Sequence, residues 1–231
     1  MSIINNKLDN PVWFSLAETH REFAIEHKNI KFYHPDFCPF GAFSDNEFIA
    51  EAIDKYSELV EDFYSVGEKP IFNSLIKIKK ELICNQMILE KPILIEIKEE
   101  IITLNNEHVQ DLFNLVNFVQ PGYFKSKTSE LGSYYGIYKN GRLIAVTGER
   151  MKMNSYTEVS AVVTHPEYTG KGFARQLIAH TTNKIFAQNK IPYLHVAESN
   201  VGAIKLYEKL GLNRRRKISF WNLIKEKSIK L

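Results

Sequence analysis

Cysteine is scarce in this chain: Cys38 and Cys84 are the only two among 231 residues. They form no spaced pair and no metal pattern, which excludes a disulfide scaffold and points to reduced thiols in a cytoplasmic protein. Long apolar runs are missing as well. No stretch approaches the roughly 20 residues that a membrane span needs, and the opening MSIINNKLDN lacks the apolar centre of a secretory signal. Nor is there an excess of one charge: 30 Lys and Arg stand against 27 Asp and Glu, a formal +3. That balance suits an anionic ligand but gives no reason to expect nucleic acid. The one dense basic run, Arg214-Arg215-Arg216-Lys217, has the pattern of a solvated face. No internal repeat is visible. No Ser-His-Asp set, Cys-His set or metal spacing stands out, and the expectation is that no metal is bound.

With 44% hydrophobic residues, there is enough apolar material for a large core without staples. The length suits one large domain or two smaller ones. The first part reads as helix-rich. Asp45 or Asn46 could cap a helix running to about Tyr64, with Phe48, Ile49, Ile53, Tyr56, Leu59 and Val60 at helical spacing. The aromatics Phe32, Tyr33, Phe37, Phe40 and Phe43 read as a packed core segment. No catalytic motif precedes about residue 100.

From Pro92 the rhythm changes. Ile93 to Leu104 reads as one or two strands, and Glu107 to Phe118 as a helix. Tyr134–Tyr138 and Leu143–Met151 flank Asn140-Gly141, a hairpin signal. Strand Thr157–Thr164, helix Gly170–Gln188, strand Tyr193–Ala197, helix Asn200–Leu210 and strand Ile218–Leu223 follow. The order β-α-β-β-β-α-β-α-β predicts an α/β domain with a mixed sheet covered by helices over residues 96–231. Residues 1–95 form the added N-terminal region.

The sharpest signal is Val162-Val163-Thr164-His165-Pro166-Glu167-Tyr168-Thr169-Gly170-Lys171-Gly172-Phe173-Ala174. A strand ends, Pro166 turns the chain, and a loop with two glycines opens a helix. Amides at a helix N-terminus with no Cβ in the way favour an anion, and Lys171 adds charge. The P-loop is excluded because no Ser or Thr follows the Gly-Lys pair. The dinucleotide fingerprint is excluded because Arg175 stands where its third glycine belongs. Taken alone, the loop is equally well a plain strand-to-helix turn.

A second segment follows. Asn200, Ala203 and Tyr207 fall on one helix face, within Asn200-x-x-Ala203-x-x-x-Tyr207-x-x-x-Gly211. Together the two segments resemble the signatures of the GNAT superfamily of N-acetyltransferases, with Thr169 where the family has Arg or Gln and Leu212 where it has Phe. The resemblance spans about residues 100–223. It implies a mixed, mostly antiparallel sheet flanked by helices and acetyl-CoA as the donor. It places the donor at Val162, Val163, Thr164, Thr169, Gly170, Lys171, Gly172, Phe173, Ala174, Asn200, Ala203 and Tyr207. The backbone N–H groups of Val162 to Thr164 would hold the thioester carbonyl from a bulged strand.

Tyr207 is the expected acid for the departing thiolate, against a packing role. Asn200 could cap its helix and touch the cofactor at once. Glu158 is the expected base; on a regular strand it alternates onto the face of Ser160, Val162 and Thr164. Glu149 is the second choice. His165 reads as a turn residue, and His180 and His195 as ordinary core histidines. The implied acceptor is an amine: polyamine, amino acid, antibiotic or peptide. Transfer of another acyl group, or an inert acyl-CoA sensor, are the alternatives. Residues 1–95 would wall the acceptor site; covering a sheet edge or making a homodimer contact are the competing roles.

Overall fold

The computed structural model describes residues 7–226. In chain order the elements are α1 (Pro11–Ala17), β1 (Ala24–His27), β2 (Ile30–Tyr33), β3 (Phe40–Phe43), α2 (Ile49–Ser57), β4 (Asp62–Val66), β5 (Ile76–Ile88), β6 (Ile102–Leu104), α3 (Val109–Val119), β7 (Tyr134–Lys139), β8 (Arg142–Lys152), β9 (Tyr156–Thr164), α4 (Phe173–Ala187), β10 (Ile191–Ala197), α5 (Val201–Lys209) and β11 (Asn213–Lys225). The chain divides into two compact units, residues 1–84 with 217–231 and residues 85–216. The chain passes between them within β5 and again within β11. Among the described residues no helix is long and apolar enough to cross a membrane.

The first unit has strand order β1-β2-β3-β4-β11, antiparallel except for the β3–β4 pair. The α2 helix lays Ile49, Ile53 and Tyr56 on Phe32, Phe63 and Leu223, and Tyr56 stacks on Phe32 at 4.1 Å between ring centroids. The expectation of a helix-rich region is corrected here. Strands carry this unit, and the helix expected to reach Tyr64 stops at Ser57, with β4 following. Every residue of β2 and β3 is buried. Strands buried on both faces show no alternation, so their period is invisible in sequence. Phe32, Tyr33, Phe40 and Phe43 are core residues, as expected.

The second unit holds the order β5-β10-β9-β8-β7-β6. Its pairs are antiparallel except β9–β10, which is parallel. Helices cover both faces. On one face α3 packs Leu112, Leu115 and Val116 on Tyr134, Leu143, Val146 and Val163. On the other, Ile178, Ala179 and Ile185 of α4 and Ile204 and Tyr207 of α5 pack on Met87, Val159, Leu194 and Val196. Each such aliphatic side chain contributes about 1.5–3 kcal/mol by leaving water. The mixed, mostly antiparallel sheet flanked by helices is therefore observed. So is the hairpin, with Asn140 and Gly141 at φ 51° and 74° joining β7 and β8. Of the one or two strands expected over Ile93–Leu104, only Ile102–Leu104 pairs, and β5 lies where no strand was expected.

Candidate active site

The glycine loop lies open. Gly170 and Gly172 have φ of 76° and 81°, a region that L side chains rarely adopt. A Cβ built on either meets no atom within 4 Å. Gly172 is the N-cap of α4, and no acidic residue sits in the first turn of that helix. The first amides of α4 therefore follow two unobstructed glycines, at the positive end of a helix of 15 residues with no acidic side chain in its first turn, the chemistry that holds an anion. Lys171 is exposed, with its ammonium 4.9 Å from the Tyr168 ring centroid. Thr169 turns its hydroxyl back onto the Pro166 carbonyl at 3.0 Å. Phe173 is a core residue beside Leu177, so only its backbone faces the loop. Ala174 packs its side chain against the α4/α5 cluster.

Strand β9 is bulged just before this loop. Val163 pairs with Val146 and Ser160 with Gly148, so Ala161 and Val162 together oppose Thr147. Ala161 takes φ 49°. A bulge leaves its extra backbone groups unmatched by the ladder; Val162 lies in it, while Val163 and Thr164 are back in register. On its other side β9 parts from β10. Their pairing runs Ile191–Tyr156, Pro192–Thr157, Tyr193–Glu158 and then ends, although both strands continue. Beyond Glu158 and Tyr193 the two strands split and no longer pair with each other, and β9 runs on through the bulge towards the glycine loop.

The bulge corrects the expected alternation. Val159 and Val162 both pack in the α4/α5 cluster, a spacing of three that a regular strand forbids, and Val163 packs with α3. Glu158 therefore shares its face with Ser160 but not with Val162 or Thr164. Tyr207 shares a cluster with Val159, so Glu158 and Tyr207 approach the split from opposite faces of the sheet.

Glu158 is 1% exposed and strongly partnered. Arg150 Nε donates to Oε2 at 2.8 Å, and Arg150 Nη2 to Oε1 at 3.0 Å. His195 Nδ1 meets Oε1 at 2.8 Å. Burial by itself raises the Glu158 pKa; the Arg150 charge, then the hydrogen bonds from His195 and Arg150, outweigh it and hold the carboxyl at about 2. Glu149, on the opposite face from Arg150, is buried with Oε2 on Lys152 Nζ at 2.6 Å. His165 is buried, caps the turn at the Glu167 N–H and meets Arg142 at 2.7 Å. The partners Arg150 and His195 were not read from sequence. Arg150 carried no distinguishing signal, because Arg142, Glu149 and Lys152 are charged residues of the same strand.

Tyr207 is 7% exposed, and burial raises its phenol to about 12. Among the described residues its hydroxyl has no hydrogen-bond partner. Asn200 is exposed and caps α5, its Oδ1 accepting from the Ala203 N–H at 3.1 Å. Ala203 is half-buried against the same cluster as Tyr207. Among the described residues no group of three or more His, Cys, Asp or Glu side chains is placed to hold a metal ion.

The sheet, the bulge, the split and the glycine loop define an acyltransferase-type fold, and the comparisons agree. The model of the FR47-like protein family matches residues 134–221. A GNAT-family protein from Novosphingobium aromaticivorans is 31% identical over 96% of this chain and 100% of its own, with a TM-score of 0.86. The chain belongs to the GNAT family of acetyltransferases. Two further structures share the fold at 12% identity and a TM-score of 0.64: a GCN5-related N-acetyltransferase from Kribbella flavida, over 99% of this chain and 98% of that one, and a GCN5-related N-acetyltransferase-like protein from Streptococcus suis, over 96% and 94%. No curated protein matches the chain by sequence.

Proposed function

We propose that the protein transfers an acetyl group from acetyl-CoA to a primary amine by direct attack. The observation that carries this reading is the split between β9 and β10, followed by the bulge in β9 and two unobstructed glycines at a helix N-terminus. A pyrophosphate needs amides without Cβ interference, and Gly170 to Ala174 offer them. An acyl thioester needs donors aimed at its carbonyl oxygen, where negative charge develops, and the bulged Val162 offers an unmatched backbone group. The donor therefore fits the residues present, with Asn200 and Ala203 along its path. Its thioester supplies the activated acyl group.

Tyr207 is assigned the proton that the leaving thiolate takes up; with its phenol raised to about 12, the proton is present at every working pH. Glu158 is assigned to the incoming amine. A carboxylate held at about 2 is a poor resting place for a proton at neutral pH. Its part is to orient the amine, or the water that carries the proton away, while remaining an anion. Proximity of amine and thioester is the largest contribution.

A screen of amine classes with acetyl-CoA, following release of free thiol, tests the reading. Turnover with at least one class is expected, and Gly172→Glu should abolish it. Tight CoA binding with no turnover on any amine would make the protein an acyl-CoA sensor instead.

A further inference from the structure

The carboxylate of Glu158 belongs to a longer line of hydrogen bonds. Arg215 of β11, Gln86 of β5, His195 of β10, Glu158 of β9 and Arg150 of β8 come from five adjacent strands, all on one face of the second unit's sheet. Arg215 Nη1 donates to Gln86 Oε1 at 2.9 Å. Gln86 Nε2 lies 3.1 Å from His195 Nε2, and His195 Nδ1 lies 2.8 Å from Glu158 Oε1. Gln86 is fully buried, and the His195 side chain is 2% exposed.

The donors fix the direction of every link. Arginine has no acceptor, so Gln86 must turn its carbonyl oxygen to Arg215. Its other end is then an NH2 group, a donor only, and His195 Nε2 must accept from it. The ring proton is thereby assigned to Nδ1, facing Glu158. A carboxylate offers about four lone-pair positions. Arg150 fills one on each oxygen, and His195 fills the second on Oε1. One position, on Oε2, is left. The same link ties the split at its neck, since Glu158 and Tyr193 are the last paired residues of β9 and β10.

We propose that Gln86 and Arg215 are positioning residues for acyl transfer. Acting through His195, they impose the Nδ1–H tautomer, which holds Glu158 in place and leaves it a single acceptor position for the incoming amine. The consequence for transfer rests on the function proposed above; the tautomer does not.

The test uses the full-length protein labelled with 15N-histidine. Long-range 1H–15N correlation reads both ring nitrogens, and a His195→Gln variant identifies the signals. The expected wild-type pattern at neutral pH is a protonated Nδ1 and a bare Nε2. Gln86→Glu presents an acceptor to Nε2 and should protonate both nitrogens. Turnover in this variant should fall by about 10-fold to 10²-fold, the scale of misplacing a group at the reacting centre, with CoA affinity unchanged. Gln86→Leu, which adds no charge, is the second arm and should give mixed tautomers with a similar loss. A wild-type ring protonated at Nε2 would overturn the tautomer assignment. A changed ring spectrum with unchanged turnover would overturn the positioning role. If the wild type acetylates no amine, the function reading fails and the role in transfer fails with it, while the spectra still decide the tautomer.

Discussion

Glu158→Gln keeps the side-chain shape and removes the negative charge at the centre of a buried cluster. Three donor groups converge on the carboxylate: Arg150 Nε–H, Arg150 Nη2–H and His195 Nδ1–H. Glutamine has one acceptor atom, so at least one donor must face its NH2 group, and the Arg150 charge, only 13% exposed, loses its counter-ion. Removing one member of such a buried pair costs about 3–5 kcal/mol. The ionisation gives a second route to the magnitude: holding the carboxyl at about 2 instead of 4.5 corresponds to about 3 kcal/mol of stability at neutral pH. Because the folded-state value is depressed, that contribution is whole above about 4.5 and is lost as pH falls towards 2. The variant should therefore unfold at a urea midpoint ~1 M or more below wild type at pH 7, and the gap should shrink between pH 4.5 and pH 2. Far-UV circular dichroism is the right probe. Trp13 and Trp221 both lie in the first unit, so tryptophan fluorescence reports on that unit and not on Glu158. A gap that is absent at pH 7, or constant down to pH 2, would refute the buried-pair reasoning.

Other outcomes follow from the same geometry. Gly172→Glu forces a side chain and a negative charge into the open loop at φ 81°; calorimetry should show CoA binding lost, and retained affinity would move the donor elsewhere. Tyr207→Phe should lower turnover by about 10²–10⁴-fold with CoA affinity kept; an unaffected chemical step would leave Tyr207 as a packing residue. With its phenol near 12, the wild-type rate should show no alkaline loss from Tyr207 up to about pH 10, and a fall that Tyr207→Phe removes would contradict the burial argument. Asn200→Ala deletes the α5 cap and should cost about 1 kcal/mol, read by thermal melting at saturating CoA.

The sequence by itself determined the second unit's element order from β6 onward, the hairpin and the glycine loop. These are local: Asn140-Gly141 specifies its turn from two residues, Gly170 and Gly172 announce a helix opening, and Asn200, Ala203 and Tyr207 share a face through helical periodicity alone. Tertiary structure decided the rest. Strands β2 and β3 of the first unit escaped because they are buried on both faces, which erases the alternation that marks a strand. The family resemblance implied a bulge in this strand, but its place at Ala161 escaped because a bulge exists only relative to β8, and that place reversed the face assigned to Val162. The division expected after residue 95 also leaves out Met87 and Leu89, core residues of the second unit that β5 and the residue after it supply. Above all, Gln86, His195 and Arg215 are far along the chain from one another and from the Arg150–Glu158 pair. Only strand pairing sets them in one row, and a hydrogen bond's direction cannot be read until both of its ends are in place.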